Sequence, residues 1–445
     1  MPDRWLHLFD QVARTVRPND LVSVTVGCDR GPDGLLAGDG ECGAFLPSGG
    51  GLRLIWRGAT VHVTASGDRR FVHVRQAAQE LLTRMADLRE PGLEGLPGPV
   101  LVGGVAFRPA AQRDATWAAF GDGSFTLPRW VWGQADGRSF VRLTLVAGEL
   151  HDPNEARTLA LEAAQIGQHA NLETNPYACA HQDADADSTR WGETVHVALE
   201  AMTAGQLDKV VLAREATVRL DRPLDPDGVV RRLAAVERDA TVFAFQRQGK
   251  TFLGATPELL VRRTGRQVTS EALAGTAADA APQSTLQGDK IEREHGWVRE
   301  AVREALGPLC DTLHIDEQPT VRELHGLRHL RSRVQGTLAA DVHVLDLVER
   351  LHPTPATCGT PRQAALAFLK AHEGFDRGWY AGAVGWFDAK GDGCFVVALR
   401  CGLVEADRVR LYAGAGLVRG SDAQAEWTET RWKLQPMLRA LGGTA

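Results

Sequence analysis

Apolar and polar residues alternate along much of the chain, and the period changes where helices are predicted. In the first hundred residues "DLVSVTVGC" (20–28), "LRLIWRG" (52–58) and "TVHVTAS" (60–66) read as short strands punctuated by glycine. "FVHVRQAAQELLTRMADL" (71–88) turns to helical spacing, and "GPVLVGGVAF" (98–107) and "RSFVRLTLVAGEL" (138–150) read as strands again. The stretch 175–189 is polar and rich in turn formers, so the main boundary is expected there, dividing an N-terminal region (residues 1–185) from a C-terminal region (residues 186–445). The C-terminal region is more densely patterned. A helix at 189–205 leads to the strand "DKVVLAREATVRL" (208–220), then a helix at 226–237, strands at 242–248 and 251–263, and a long helix from about 283 to 307. Strands "CFVVALRCGLV" (394–404) and "RVRLYAGAGLV" (408–418) precede the last helix. Strands often follow one another directly. That pattern predicts an α/β (α+β) fold: mainly antiparallel sheets at the centre, helices outside.

The last helix raises a question of chemistry. Ser421 with Gln424 three residues on reads as a capping box. At 3.6 residues per turn, Glu426, Glu429 and Lys433 share one face, beside an apolar stripe of Leu434, Met437, Leu438 and Leu441. The strand before it, "AGAGLV", is almost without side chains and leaves room for a close approach to its backbone.

Composition narrows the classes of function. The chain has 445 residues, 44% hydrophobic, enough for a large core. The formal net charge is -6 and there is no long Lys/Arg run, so neither nucleic acid nor an anionic membrane is expected as a partner. No apolar run approaches a membrane span, and the N-terminus lacks the apolar stretch of a secretory signal. The seven cysteines are scattered with no CxxC spacing, which fits a reducing compartment and gives no thiolate metal site. A cytoplasmic protein is expected.

Four segments could carry reactive groups. Lys209 opens the strand 208–220 and alternates with Val211 and Ala213 on one face. A strand-opening lysine is usually an edge residue; desolvation among small apolar neighbours would instead make it a general base. Glu258 follows Pro257, which cannot continue a ladder, so a turn glutamate is the simpler reading. Glu294 falls in the apolar stripe Ile291, Val298, Ala301, Val302 and Ala305, where a carboxylate needs a partner: an arginine or a cation. Glu294 on one helix, with Glu426 and Glu429 on another, makes a candidate oxygen-ligand site for a hard cation such as Mg²⁺. Arg400 and Lys433 could hold a substrate carboxylate beside it.

The motifs "KVVLAR", "GATPELLV", "EALAGT", "EREH", "HPTPA", "WYAGAVGW", "VVALR", "YAGAGLV" and "EWTETRWKL" occur in one order. In that order they resemble the chorismate-utilising enzymes: isochorismate synthases, salicylate synthases, and the large subunits of anthranilate and aminodeoxychorismate synthases. The match covers roughly 190–442, and "GPVLVGGVAF" and "GSFTLPRWVW" extend it more weakly into the N-terminal region. The resemblance implies one large domain with two mainly antiparallel sheets at its centre. It implies a single Mg²⁺ held by Glu294 and Glu426, with Glu429 acting through water. The ring carboxylate of chorismate would meet the metal and the backbone near Gly275 and Thr276. The carboxylate of its enolpyruvyl arm would meet Arg400, Tyr380, Lys433 and the N–H groups of Gly414 and Gly416. His329 matches a pocket histidine. Two positions depart from the family pattern: Ile291 stands where an acidic residue is frequent, and Cys394 in "GDGCF" where glutamate is frequent.

Lys209 also bears on the reaction, because members that use water resemble this chain there, whereas those that use ammonia differ and usually need a glutaminase. The resemblance therefore implies water as nucleophile, Lys209 as base, Glu258 as acid, no glutaminase subunit and a monomer. Ala356 in "HPTPA" resembles the isochorismate synthases rather than the salicylate synthases. The expectation is Mg²⁺-dependent conversion of chorismate to isochorismate, for either menaquinone or siderophore biosynthesis. Salicylate synthesis and a non-catalytic chorismate-binding subunit are the alternatives.

Overall fold

The strand Gly123–Ala135 is a branch point. One edge pairs along its length with Arg53–Ala65; the other pairs with Arg138–Val146 at its C-terminal half and with Val100–Val105 at its N-terminal half. Two leaves diverge from it. The first leaf runs from Arg53–Ala65 through Cys42–Leu46, Thr241–Arg247, Lys250–Thr256, Cys401–Glu405 and Arg408–Val418 to Lys209–Leu220. The second runs from Val100–Val105 through Ala383–Asp388, Gly393–Val397, Leu259–Thr264 and Gln267–Ala278 to Leu327–Leu338. Every pairing in both leaves is antiparallel. The two sheets expected from the sequence are thus two leaves of one branched sheet in a single α/β domain. The structure is a computed structural model that describes residues 2–32, 40–110, 113–166, 177–181, 185–278, 289–324 and 326–442.

Alternation along the strands sorts side chains into three apolar layers. Phe243, Phe252 and Leu403 of the first leaf meet Val384, Trp386 and Val396 of the second, with Trp117 and Trp379 among them. Val242, Ala244 and Leu411 face outward, against the helices Pro2–Thr15, Pro153–Gln165, Pro226–Val236 and Ala423–Leu441. Ala383, Phe387, Phe395 and Val397 face the other way, against Arg70–Thr83, Asp289–Leu306 and Val344–Leu351. The order is helix, leaf, leaf, helix.

Several local expectations change. The helix at 71–88 ends at Thr83, and Ala86–Arg89 pairs in parallel with Leu21–Cys28, because an open sheet edge offers that segment better hydrogen bonds than another helical turn. The two strands at 52–66 are one strand, Arg53–Ala65, with its irregularity between Ala59 and Val61. The last helix is capped by Asp422, whose carboxylate accepts from Ala425 N at 2.8 Å. Ser421 instead accepts from Val418 N at 3.2 Å and closes the turn before it. Leu434, Met437, Leu438 and Leu441 are buried as their spacing predicts. The helix expected from about 283 is described from Asp289, and 283–288 lie outside the described residues.

Two strand predictions, 251–263 and 394–404, each break in the middle. Lys250–Thr256 lies in the first leaf and Leu259–Thr264 in the second; Gly393–Val397 lies in the second and Cys401–Glu405 in the first. The chain therefore crosses between leaves at Pro257–Glu258 and again at Leu399–Arg400. The two crossings lie side by side: Val397 N donates to Glu258 O at 3.0 Å and Ala255 N to Arg400 O at 3.2 Å.

Candidate active site

The crossings leave Glu258 and Arg400 at the edge of a cleft between the leaves. Arg400 has φ +50, a left-handed backbone that a non-glycine residue adopts at some cost. Lys209 enters from the start of Lys209–Leu220, Glu294 from the helix Asp289–Leu306, and Glu426, Glu429 and Lys433 from the helix Ala423–Leu441. Gly275, Thr276, His329, Ala356 and Gly416 complete a cavity of about 160 Å³ with these side chains. A larger hollow of about 840 Å³, beside Arg108, Lys370 and Asp376, contains none of the predicted residues.

Twelve of the fourteen candidate residues thus line one cavity. The other two, Tyr380 and Gly414, are not among its lining residues. Tyr380 is buried and stacked on Tyr412, their ring centroids 5.2 Å apart, and Gly414 offers its carbonyl to Lys433 Nζ at 2.9 Å. Sequence reasoning did not place Leu273, Ala274, Pro257 or Leu399 in the site, where they supply apolar wall. Their only signal was membership of the motifs "EALAGT", "GATPELLV" and "VVALR", since an apolar wall residue looks like any core residue. Cys394 is buried among sheet residues and does not line the cavity, whereas Ile291 does.

Lys209 is 1% exposed and donates to Glu294 Oε1 at 2.7 Å, so it is not an edge lysine. Lys209 therefore supplies a partner of the kind that Glu294 needs. The bare strand explains how the two can meet. A Cβ at Gly416 would stand 2.8 Å from Glu294 Oε1 and 3.1 Å from Lys209 Cε. Any side chain there would force the pair apart.

Glu258 is also buried, and its carboxyl is pushed up to about 7, chiefly by desolvation; Arg400 opposes this and Glu271 adds to it. A glutamate with that value keeps a proton near neutral pH and can donate it. His329 is held well below its usual range by burial and by the Arg400 guanidinium. It is therefore neutral, with Nδ1 at 3.1 Å from Gly275 O and Nε2 at 3.2 Å from Arg400 Nη2. The carbonyl can only accept and the guanidinium only donate, so the proton sits on Nδ1. Lys433 Nζ lies 2.6 Å from Glu429 Oε1.

Among the described residues, no three His, Cys, Asp or Glu side chains converge into a ready-made metal cage. Mg²⁺ does not require one: it commonly keeps several waters and takes one or two carboxylates plus groups of the substrate. Glu294, Glu426 and Glu429 bring hard oxygen donors to a single cavity, and this donor set fits such an ion.

The family described as "chorismate binding enzyme" matches residues 48–442. The chain is 36% identical over 408 residues to the salicylate biosynthesis isochorismate synthase of Pseudomonas aeruginosa, covering 87% of this chain and 83% of that one. It is 32% identical over 371 residues to isochorismate synthase MenF of Bacillus subtilis, covering 78% and 75%. The solved structure of MenF, the menaquinone-specific isochorismate synthase from Escherichia coli, superposes with a TM-score of 0.77 at 25% identity over 99% of each chain. Among the described residues no helix is long and apolar enough to cross a membrane.

Proposed function

The chain belongs to the chorismate-binding enzymes, and on that premise we propose that it converts chorismate to isochorismate with water as the nucleophile. The observation that carries this reading is the placement of Lys209 and Glu258 on one small cavity, with Glu258 holding its proton near pH 7. An acid and a base facing one ring suit a displacement in which one hydroxyl arrives as another leaves.

Lys209 takes a proton from water as the oxygen bonds to ring carbon C2. The two ring double bonds shift, and the bond from C4 to its hydroxyl breaks. Glu258 gives its proton to that departing oxygen, which leaves as water. Atoms balance: one water enters, one leaves, and the product is an isomer of the substrate. Cavities on the order of 150 Å³ admit a six-membered ring, so the cavity suits the body of the substrate. Arg400 binds the carboxylate of the enolpyruvyl arm with Lys433 nearby, and His329 fixes the guanidinium from behind. The ring carboxylate lies toward Gly275 and Thr276. Tyr380 and Gly414 stand together beside the cavity wall, the Tyr380 hydroxyl 3.1 Å from where a Cβ at Gly414 would lie, and the Gly414 and Gly416 N–H groups are further donors to the carboxylate of the enolpyruvyl arm. Glu294 and Glu426, with Glu429, would hold Mg²⁺, which when bound neutralises the ring carboxylate and orients the ring.

One assay tests the reading. Incubation with chorismate and Mg²⁺ is expected to yield isochorismate, and EDTA to stop it. Salicylate with pyruvate would assign the second reaction as well, and no conversion would leave only a binding protein. Turnover unaffected by EDTA would contradict the metal assignment.

A further inference from the structure

Glu373 and Arg377 form an ion pair that has no place in the cavity wall yet is bonded to the backbone of two of its elements. Both side chains are 1% exposed. Glu373 caps the C-terminus of the helix Arg362–His372. Arg377 Nε donates to Glu373 Oε2 at 2.8 Å, its Nη1 to Thr357 O at 2.9 Å and its Nη2 to Val211 O at 2.7 Å. Glu373 Oε1 accepts from Ala213 N at 2.9 Å.

The strand Lys209–Leu220 shows why these bonds fall where they do. Arg408–Val418 covers one of its edges from end to end. On the other edge Gly359–Thr360 covers Lys209 and Val210, and Cys179–His181 covers Val218 to Leu220. Between them, Val211 O and Ala213 N flank Leu212 on an edge with no neighbouring strand among the described residues. In a parallel sheet, one residue of the next strand would donate to the first of these groups and accept from the second. Here the guanidinium donates and the carboxylate accepts, so the ion pair substitutes for a strand. Its remaining arm ties down Thr357, the residue after Ala356, and Val211 and Ala356 are both cavity wall.

We propose that Glu373 and Arg377 are positioning residues for the reaction: they lock the strand that begins with Lys209 to the loop that carries Ala356, and so set where Lys209 meets the substrate. The inference rests on the reading of Lys209 as the base. An ion pair that served folding alone would not change turnover in the fraction of molecules that remain folded. One that positions the base would, because misplacement by about 1 Å can cost on the order of 100-fold in rate.

Arg377→Lys is the test. A lysine keeps a charge beside Glu373 but lacks the fork that reaches Thr357 O and Val211 O together. The control is Arg142→Lys, which alters another fully buried guanidinium bonded to two backbone carbonyls, Gly98 O and Pro97 O, and hydrogen-bonded to no cavity residue among the described residues. Both variants should melt earlier than the wild type. At temperatures where each is folded, Arg377→Lys should lower kcat about 10- to 100-fold with KM for chorismate changed less than about threefold. Arg142→Lys should keep both constants within about twofold, the behaviour of a change remote from the site. Glu373→Gln, which retains an acceptor for Ala213 N, should show the same split as Arg377→Lys and serves if that variant does not fold. An unchanged kcat in a folded variant, or an equal loss in Arg142→Lys, would overturn the proposal. So would failure of both pair variants to fold, which would make the pair a folding element. A wild-type protein that forms no isochorismate would refute the functional reading itself, and the same assay shows it.

Discussion

Arg142 and Arg400 are both shut away from solvent, at 1% and 8% exposure, and they illustrate two ways of burying a cation. Arg142, in the strand Arg138–Val146, donates to Thr25 Oγ1 at 2.9 Å, Gly98 O at 2.5 Å and Pro97 O at 2.7 Å. Its guanidinium is turned entirely to architecture, stapling a loop to a sheet through neutral oxygens. The Arg400 guanidinium has one hydrogen bond among the described residues, to a neutral His329, and lines a cavity. A guanidinium carries five N–H donors. The donors that the protein leaves to the cavity suit a carboxylate, the group a planar fork matches best. A buried guanidinium with every nitrogen engaged by protein thus points to structure, and one left with a single partner beside a hollow points to a ligand.

Substitutions can break or sharpen this contrast. The largest effect is expected at Lys209, whose buried amine faces Glu294 inside the cavity. Lys209→Ala should lower kcat by about 10²–10⁴-fold, the range for loss of a general base, while chorismate still binds in calorimetry. Wild-type turnover in this variant would refute the base assignment.

Glu258 supplies the corresponding test for a buried acid. Burial raises its folded pKa from 4.5 to about 7, so the folded state holds this proton more tightly than the unfolded chain. That contribution to stability is complete below about 4.5 and is lost as pH rises through about 7. Glu258→Gln removes the dependence. It should therefore be more stable than the wild type above pH 7, by up to about 3 kcal/mol, and show no such gain near pH 4. Denaturant unfolding at the two pH values checks this, and a gain of equal size at both would contradict it. The same group requires wild-type kcat/KM to fall on the alkaline side with an apparent pKa near 7, and turnover in Glu258→Gln to be nearly abolished.

Arg400→Met should raise KM for chorismate about 10- to 100-fold, from loss of charge-assisted hydrogen bonds, with little loss of melting temperature. Arg142→Met should do the reverse, lowering stability and leaving KM intact, because it strands buried carbonyls without touching the cavity. Equal effects in the two variants would dissolve the distinction between them. The smallest effect is expected at Lys433, which is already engaged by Glu429 and Gly414 O; Lys433→Met should raise KM about 10-fold or less.

Much of this site was legible before any coordinates. Periodicity placed Glu426, Glu429 and Lys433 on one face beside a buried stripe, and the bare "AGAGLV" strand signalled a close approach, which Lys209 and Glu294 make at Gly416. The order of the motifs selected the residues that now share a cavity. What could not be read was geometry that depends on the partner strand. Pro257 marks a break in its strand, but nothing local says that this break, or Leu399–Arg400 in a segment that reads as one continuous strand, is a crossing between leaves. Nothing local separates Arg142 from Arg400, because coordination of a guanidinium is a tertiary property. The helix at 71–88 was read too long for a related reason: the sheet edge that claims Ala86–Arg89 lies some sixty residues away in sequence. Glu373 and Arg377 sit four apart like any surface helix pair, and only the uncovered edge at Val211–Ala213 gives them a task.

The central claim is that Lys209 activates water against one ring carbon while Glu258 releases a hydroxyl from another. Turnover in water labelled with heavy oxygen, followed by mass spectrometry and NMR of the product, addresses it directly. The account predicts isochorismate carrying the label in its C2 hydroxyl in every molecule formed, with no product from Lys209→Ala. Unlabelled isochorismate, or chorismate returned unchanged in the presence of Mg²⁺, would contradict it.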